Sequence, residues 1–125
     1  MTASHWCILI AALLPYPFAI LSKAGGNYSN HNPRNEAVWA EGFRQRAHGA
    51  QQNAFEAFPP FAAAVLIAWQ LGGGREWLNG LAIAWVVLRV LYGAAYLGDL
   101  PTLRSTLWTL AFGVTIGIFL LGAFV

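Results

Sequence analysis

The chain has 125 residues, 58% of them hydrophobic and only 10% charged, with a formal net charge of +2. An ordinary soluble domain is roughly a quarter charged, so a water-soluble fold of this composition would expose large apolar patches and aggregate. The single cysteine, Cys7, excludes an internal disulfide framework, and so small a net charge without a basic cluster excludes a nucleic-acid partner; the basic residues read as topological signals instead.

An apolar stretch over about residues 3–23 predicts a first membrane helix. No Lys or Arg precedes it and no small-residue cleavage site follows, which argues for a retained helix over a secretory signal. Pro15 and Pro17 are expected to kink its second half, a distortion that neighbouring helices tolerate. Ala24 to Arg34 reads as a polar connection, with Gly25-Gly26 ending the helix and Asn32-Pro33 making a turn. A long second helix is expected over about 35–71. It turns apolar only after about Ala54, so its first half should project beyond the hydrocarbon. Pro59-Pro60 should kink it without breaking it, since Phe61 to Leu71 continues the apolar run. The tight connection from Gly72 to Glu76 leads to a third helix over about 77–97, and Gly98-Asp99-Leu100-Pro101 to a fourth over about 102–124. The predicted fold is all-α: one integral membrane domain, a four-helix bundle, with no soluble domain, convincing repeat or low-complexity tract left over.

Charge sets the expected orientation. The first connection and its flanks hold Lys23, Arg34, Arg44 and Arg46, and the third adds Arg104, whereas the second has only Arg75. The positive-inside rule then places the first and third connections in the cytoplasm and both termini outside.

Polar residues at membrane depth are expensive, and therefore mark the candidate site. On the second helix Arg46, Gly49, Asn53 and Glu56 recur at helical spacing and form one stripe, with Gln52 a turn before Glu56. On the third, Arg89, Tyr92 and Tyr96 share a face, with Arg89 inside the apolar run LAIAWVVLRVLY. A guanidinium there cannot easily lose its proton; Glu56 is its expected partner, with Asn53, Gln52 and the tyrosine hydroxyls able to satisfy the remaining donors and acceptors. Such a pair can glue two helices together, contact a ligand, or do both. Arg104-Ser105 opens the fourth helix, either as an anchor with a helix-start serine, or as a cation and a hydroxyl able to hold a carboxylate or thiolate. Trp39, Trp69, Trp77 and Trp108 fall near helix ends, as interfacial aromatics do. His31 and His48 lack ligand spacing, so no metal site is expected. Cys7 lies far from the polar stripe and is expected to be inert.

The stretches AQQNAFEAFPPF and RVLYGAAYLGDLPTLRSTLWTL, set in four spans with a long polar-then-apolar second helix, resemble the MAPEG family, the membrane-associated proteins in eicosanoid and glutathione metabolism. The second stretch is similar to the prostaglandin E synthase branch, and the short chain with compact loops is similar to the bacterial members. The resemblance implies a homotrimer in the bacterial inner membrane, surrounded by lipid. It implies glutathione bound between subunits near the cytoplasmic face, with a lipophilic electrophile entering from the bilayer. In that scheme Gln52, Asn53, Glu56, Arg89, Tyr92 and Tyr96 form the glutathione pocket, Arg104 stabilises the thiolate, and Ser105 is a second donor. Gly113 and Gly117, with Ala94 and Gly98, would permit the close helix contacts of a compact oligomer.

Four features depart from the eicosanoid-processing pattern. Gly49 stands where those members usually carry arginine, and Gln52 where a basic residue is common. Trp108 replaces a tyrosine one turn after the serine, and the segment between Tyr96 and Arg104 is one residue shorter. Two functions therefore compete: a glutathione-dependent transferase or peroxidase, and a non-catalytic scaffold, accessory subunit or lipid-binding protein on the same fold. A transporter ranks behind both, for want of an inverted repeat or pore-lining series.

Overall fold

The computed structural model describes residues 1–25 and 27–124, and every long element among them is an α-helix. The first apolar stretch forms α1 (Ala3–Leu13) and α2 (Pro15–Lys23). Pro15 has no N–H to continue the α1 ladder, but it suits the first position of a new helix. Leu14 between them keeps helical dihedrals, φ −58° and ψ −35°, so the chain carries on in helical geometry. Gly26, expected with Gly25 to end this helix, lies outside the described residues; α2 stops at Lys23.

The long second helix begins later than its hydropathy suggests. Glu36–Trp39 makes a 3-10 turn, Glu41 is extended, and α3 runs Gly42–Gln70. Asn35 explains the delay: its Oδ1 accepts from the Ala37 N–H at 3.1 Å, a local bond that competes with an α-helical start. Pro59 and Pro60 lie inside an unbroken α3. Its end at Gly72 adopts φ 80°, with the Gly73 N–H donating to Ala68 O at 2.8 Å. That left-handed closure favours glycine. α4 (Arg75–Leu97) starts two residues before the expected position, and α5 (Pro101–Ala123) starts on its proline.

Among the described residues three segments are long and apolar enough to cross a membrane: Ala3–Lys23, Arg75–Leu97 and Pro101–Ala123. α3, polar over its first half, is not among them. α3, α4 and α5 pack on one another, while α1 and α2 lie against α3, with α1 also on α4. Phe61 of α3 stacks on Trp85 of α4 at 3.8 Å, surrounded by Val65, Leu78 and Ile118 and by small residues such as Ala64, Ala68 and Ala82. Outside this core the surface is greasy: Ile83, Val87 and Val90 on α4, and Leu110, Phe112, Ile116 and Phe119 on α5, are all exposed. An exterior this apolar suits lipid rather than water.

Hydrogen bonds tie the helix ends together. Arg44 Nη2 donates to Ala24 O at 2.9 Å and Arg46 Nε to Leu97 O at 3.2 Å, so two arginines of α3 cap the carbonyl ends of α2 and α4. At the opposite end Asn79 Oδ1 accepts from the Ser4 N–H at 3.0 Å, satisfying one of the free amides that open α1. The polar half of α3, the end of α4 and the start of α5 are thereby gathered at one end of the molecule.

Candidate functional site

The site starts from the α4–α5 turn. Leu100 N–H donates to Ala95 O and Gly98 N–H to Ala94 O, each at 2.9 Å, while Asp99 takes the left-handed conformation at φ 57°. This tight reversal sets the first turn of α5 over the last turn of α4. Arg104 Cζ then lies 4.6 Å from the centre of the Tyr96 ring. One turn back, Tyr92 meets Tyr96 edge-on at 5.8 Å, and Arg89 Cζ lies 4.2 Å from the Tyr92 ring. Arg89, Tyr92, Tyr96 and Arg104 thus form a ladder that leads from the buried interior to the polar end. Each cation over a ring face contributes roughly 0.5–2 kcal/mol.

α3 supplies the opposite wall. Gly49, Gln52, Asn53 and Glu56 face Tyr92, Tyr96 and Arg104 across a cavity of about 280 Å³. Arg89, only 2% exposed, donates from Nη2 to Asn53 Oδ1 at 2.6 Å. This corrects the expected Glu56–Arg89 pair: the register between α3 and α4 sets Asn53 against the guanidinium, and Glu56 is exposed instead. Because the Asn53 carbonyl accepts from Arg89, its NH₂ group is the part left for a ligand. Arg89 Nε, sealed from solvent, has no partner among the described residues.

Two further cavities adjoin this one. Towards the apolar side, Asn53 and Glu56 also line a space of about 220 Å³ with Trp85, Arg89, Trp108 and Phe112. Towards the polar end, Gly49, Gln52, Tyr96 and Arg104 open into a wider space of about 840 Å³ that also meets Glu36, Trp39, Arg46, His48 and Asp99. There Trp39 stacks on His48 at 3.8 Å, almost parallel. Burial holds the His48 imidazole below its ordinary range; Gln51 and Glu36 oppose this, and Lys23 adds to it. Trp39 is therefore a cavity wall, whereas Trp69 packs on His5 and carries Arg75 at 4.1 Å.

Ser105 does not reach the Arg104 cavity. It lines a separate groove on the exposed face of α5 with Pro101, Thr102, Thr106, Thr109 and Leu110. Adjacent residues on a helix point about 100° apart, and that rotation separates the two. Cys7 is buried in the apolar core with Ala11 and Phe61.

Two close approaches escaped the sequence reading. A Cβ at Gly49 would lie 2.2 Å from Tyr96 Oη, and one at Gly93 would lie 2.1 Å from Phe18 Cζ. Gly113 and Gly117, by contrast, face open space. A glycine facing an aromatic on a partner helix is the only available signal, and it needs the helix register to be read.

The MAPEG family model matches residues 3–124. The chain belongs to the MAPEG family. Neither a curated protein nor a solved structure matches it. Membership and the three apolar segments make this MAPEG protein an integral membrane protein. The match runs through the whole polar stripe of α3 and the aromatic ladder of α4 and α5.

Proposed function

We propose that this MAPEG protein is a glutathione-dependent transferase or peroxidase acting on lipophilic electrophiles. The observation that carries the reading is the Arg104 guanidinium over Tyr96, at the edge of a polar cavity that also presents Asn53 and Glu56. A fixed cation beside a bound thiol favours its ionised form, and the thiolate is the nucleophile. Glu56 suits the tripeptide's ammonium and the Asn53 NH₂ group a carboxylate, while Gln52, Tyr92 and Tyr96 line the pocket. Arg89 acts on the pocket through Asn53. Ser105 faces a groove where a neighbouring subunit can bring a ligand to it.

The same reading makes α3 a fourth span, completing a four-helix bundle, and makes the assembly a homotrimer. Open space at Gly113 and Gly117 favours close approach of a second copy. The bundle sits in a bacterial inner membrane, with the polar end and its arginines in the cytoplasm and both termini outside. The compact loops favour a bacterial-type member, and the Arg89–Leu110 stretch favours kinship with the prostaglandin E synthase branch.

The test is glutathione titration of detergent-purified protein, followed by calorimetry and by thiolate absorbance. Wild type is expected to saturate and to show thiolate at neutral pH. Arg104→Ala should lose the thiolate signal and bind about 10- to 100-fold more weakly, the loss of a charge-assisted contact worth roughly 1.5–3 kcal/mol. No binding by wild type at millimolar glutathione overturns the reading.

One observation favours the non-catalytic alternative, an accessory or lipid-binding protein. Tyr96 Oη fills the space beside Gly49, so no cationic side chain stands there to meet a carboxylate. That alternative expects co-purification with a larger membrane complex, and expects Glu56→Gln to harm assembly as much as ligand binding.

A further inference from the structure

The wide space of about 840 Å³ at the polar end and the cavity of about 280 Å³ beside it share Gly49, Gln52, Tyr96 and Arg104. They are two chambers of one site, with Arg104 common to both. In the thiol reading above, on which this rests, the sulfur lies at Arg104 and the γ-glutamyl end lies inward, its ammonium on Glu56. The glycine end then extends into the outer chamber, which is about three times the larger. Two carboxylates face it there. Glu36 opens the 3-10 turn, and Asp99 sits in the α4–α5 reversal, where its main-chain N–H donates to Tyr96 O at 3.2 Å. Both residues are exposed. The cations of the outer chamber are Arg104 and Arg46, whose Nε already donates to Leu97 O at 3.2 Å. His48 on the same wall is kept uncharged at neutral pH by burial. Among themselves the two arginines and two carboxylates balance. A thiolate on Arg104 leaves a single negative charge in excess. A free glycine carboxylate would double that excess, whereas an ammonium would cancel it. Space points the same way, because Tyr96 Oη fills the position beside Gly49 from which a further cation could meet a carboxylate.

We infer that the preferred thiol is a glutathione whose glycine carboxylate is capped by a diamine through an amide bond, so that its outer end is a cation facing Glu36 and Asp99. The cap removes a charge that the chamber repels and adds one that it attracts. Complementarity of this kind sets specificity more than raw affinity. The larger outer volume accommodates the added methylenes, and Trp39 on its wall offers them an apolar surface and the ammonium a ring face. The inner chamber keeps its role unchanged, with Glu56 and the Asn53 NH₂ group holding the γ-glutamyl end.

Three thiols test this: glutathione, its glycine amide, and its monoamide with putrescine. Each is titrated calorimetrically into the detergent-purified protein, with thiolate absorbance followed in parallel. The putrescine amide is expected to bind at least about 10-fold more tightly than glutathione, with the plain amide between them. That advantage should shrink as salt is raised, because exposed charges are screened. Glu36→Gln combined with Asp99→Asn should bring the three affinities within about 3-fold of one another, and either change alone should remove part of the difference. Asparagine suits the left-handed conformation at position 99, so the turn survives the exchange. Binding of the amides without glutathione upholds the inference and removes free glutathione as the substrate. Glutathione binding as tight as the putrescine amide, or a preference unchanged in the double variant, overturns the inference and leaves the thiol reading standing. Thiolate absorbance from none of the three overturns both.

Discussion

At the scale of single residues, Gly49 matters for what it lacks. Alanine there would gain about 1 kcal/mol of helix propensity. Its Cβ would also fall 2.2 Å from Tyr96 Oη and 2.7 Å from Cζ. The Tyr96 ring is held between Tyr92 and Arg104, so it cannot step aside cheaply, and overpacking of this kind costs roughly 1–3 kcal/mol. The steric cost wins. Gly49→Ala is expected to lower thermal stability and also to weaken glutathione binding, because Arg104 rests on the displaced ring. Gly49→Arg should fail to tighten binding despite its added cation; tighter binding would show that Tyr96 yields easily. His48 gives a second residue-level expectation. Its folded pKa lies below the ordinary value of about 6.5, so the unfolded chain binds the proton more readily. Stability should be at its plateau above that value and fall as pH drops through it towards the lowered folded value. Unfolding measured in detergent against pH should show this slope, and His48→Gln should flatten it.

Element-scale contacts decide which helices touch. Phe18 of α2, a helix that lies against α3, also reaches Gly93 of α4, an approach that leaves no room for a Cβ. Gly93→Ala is expected to displace the Phe18 ring and destabilise the fold, and Phe18→Leu in the same chain should recover part of the loss. No recovery would mean that the strain lies elsewhere. Arg46 belongs to this scale as well. Its bond to Leu97 O makes it a cap for α4 rather than a free cation for ligands. Arg46→Gln should therefore cost about 0.5–1.5 kcal/mol of stability, read from a denaturation midpoint, with glutathione affinity changing little.

For the whole molecule, the open expectations concern what surrounds the chain. The protein extracted in mild detergent is expected to run as a trimer by native mass spectrometry; a monomer at all concentrations would remove the intersubunit pocket. Cysteine labelling tests the fourth span. The single native cysteine is buried, so background should be low, and Ser29→Cys and Gly74→Cys should label from opposite sides of the membrane. Labelling from the same side would mean that α3 does not cross.

Much of this was legible in the chain itself. Apolar runs broken by Gly and Pro mark the helices. Helical spacing brings Gln52, Asn53 and Glu56 to one wall, and Arg89, Tyr92 and Tyr96 to another. These are local properties, fixed by hydropathy and by the 3.6-residue repeat. Only the tertiary structure decided that Arg89 bonds Asn53 and not Glu56, that Tyr96 occupies the space at Gly49, and that Ser105 faces away from the Arg104 cavity. Each depends on how far one helix is slid and rotated against the next. Periodicity within a single helix carries no information about that offset, which packing of side chains such as Phe61 on Trp85 and Phe18 on Gly93 fixes instead.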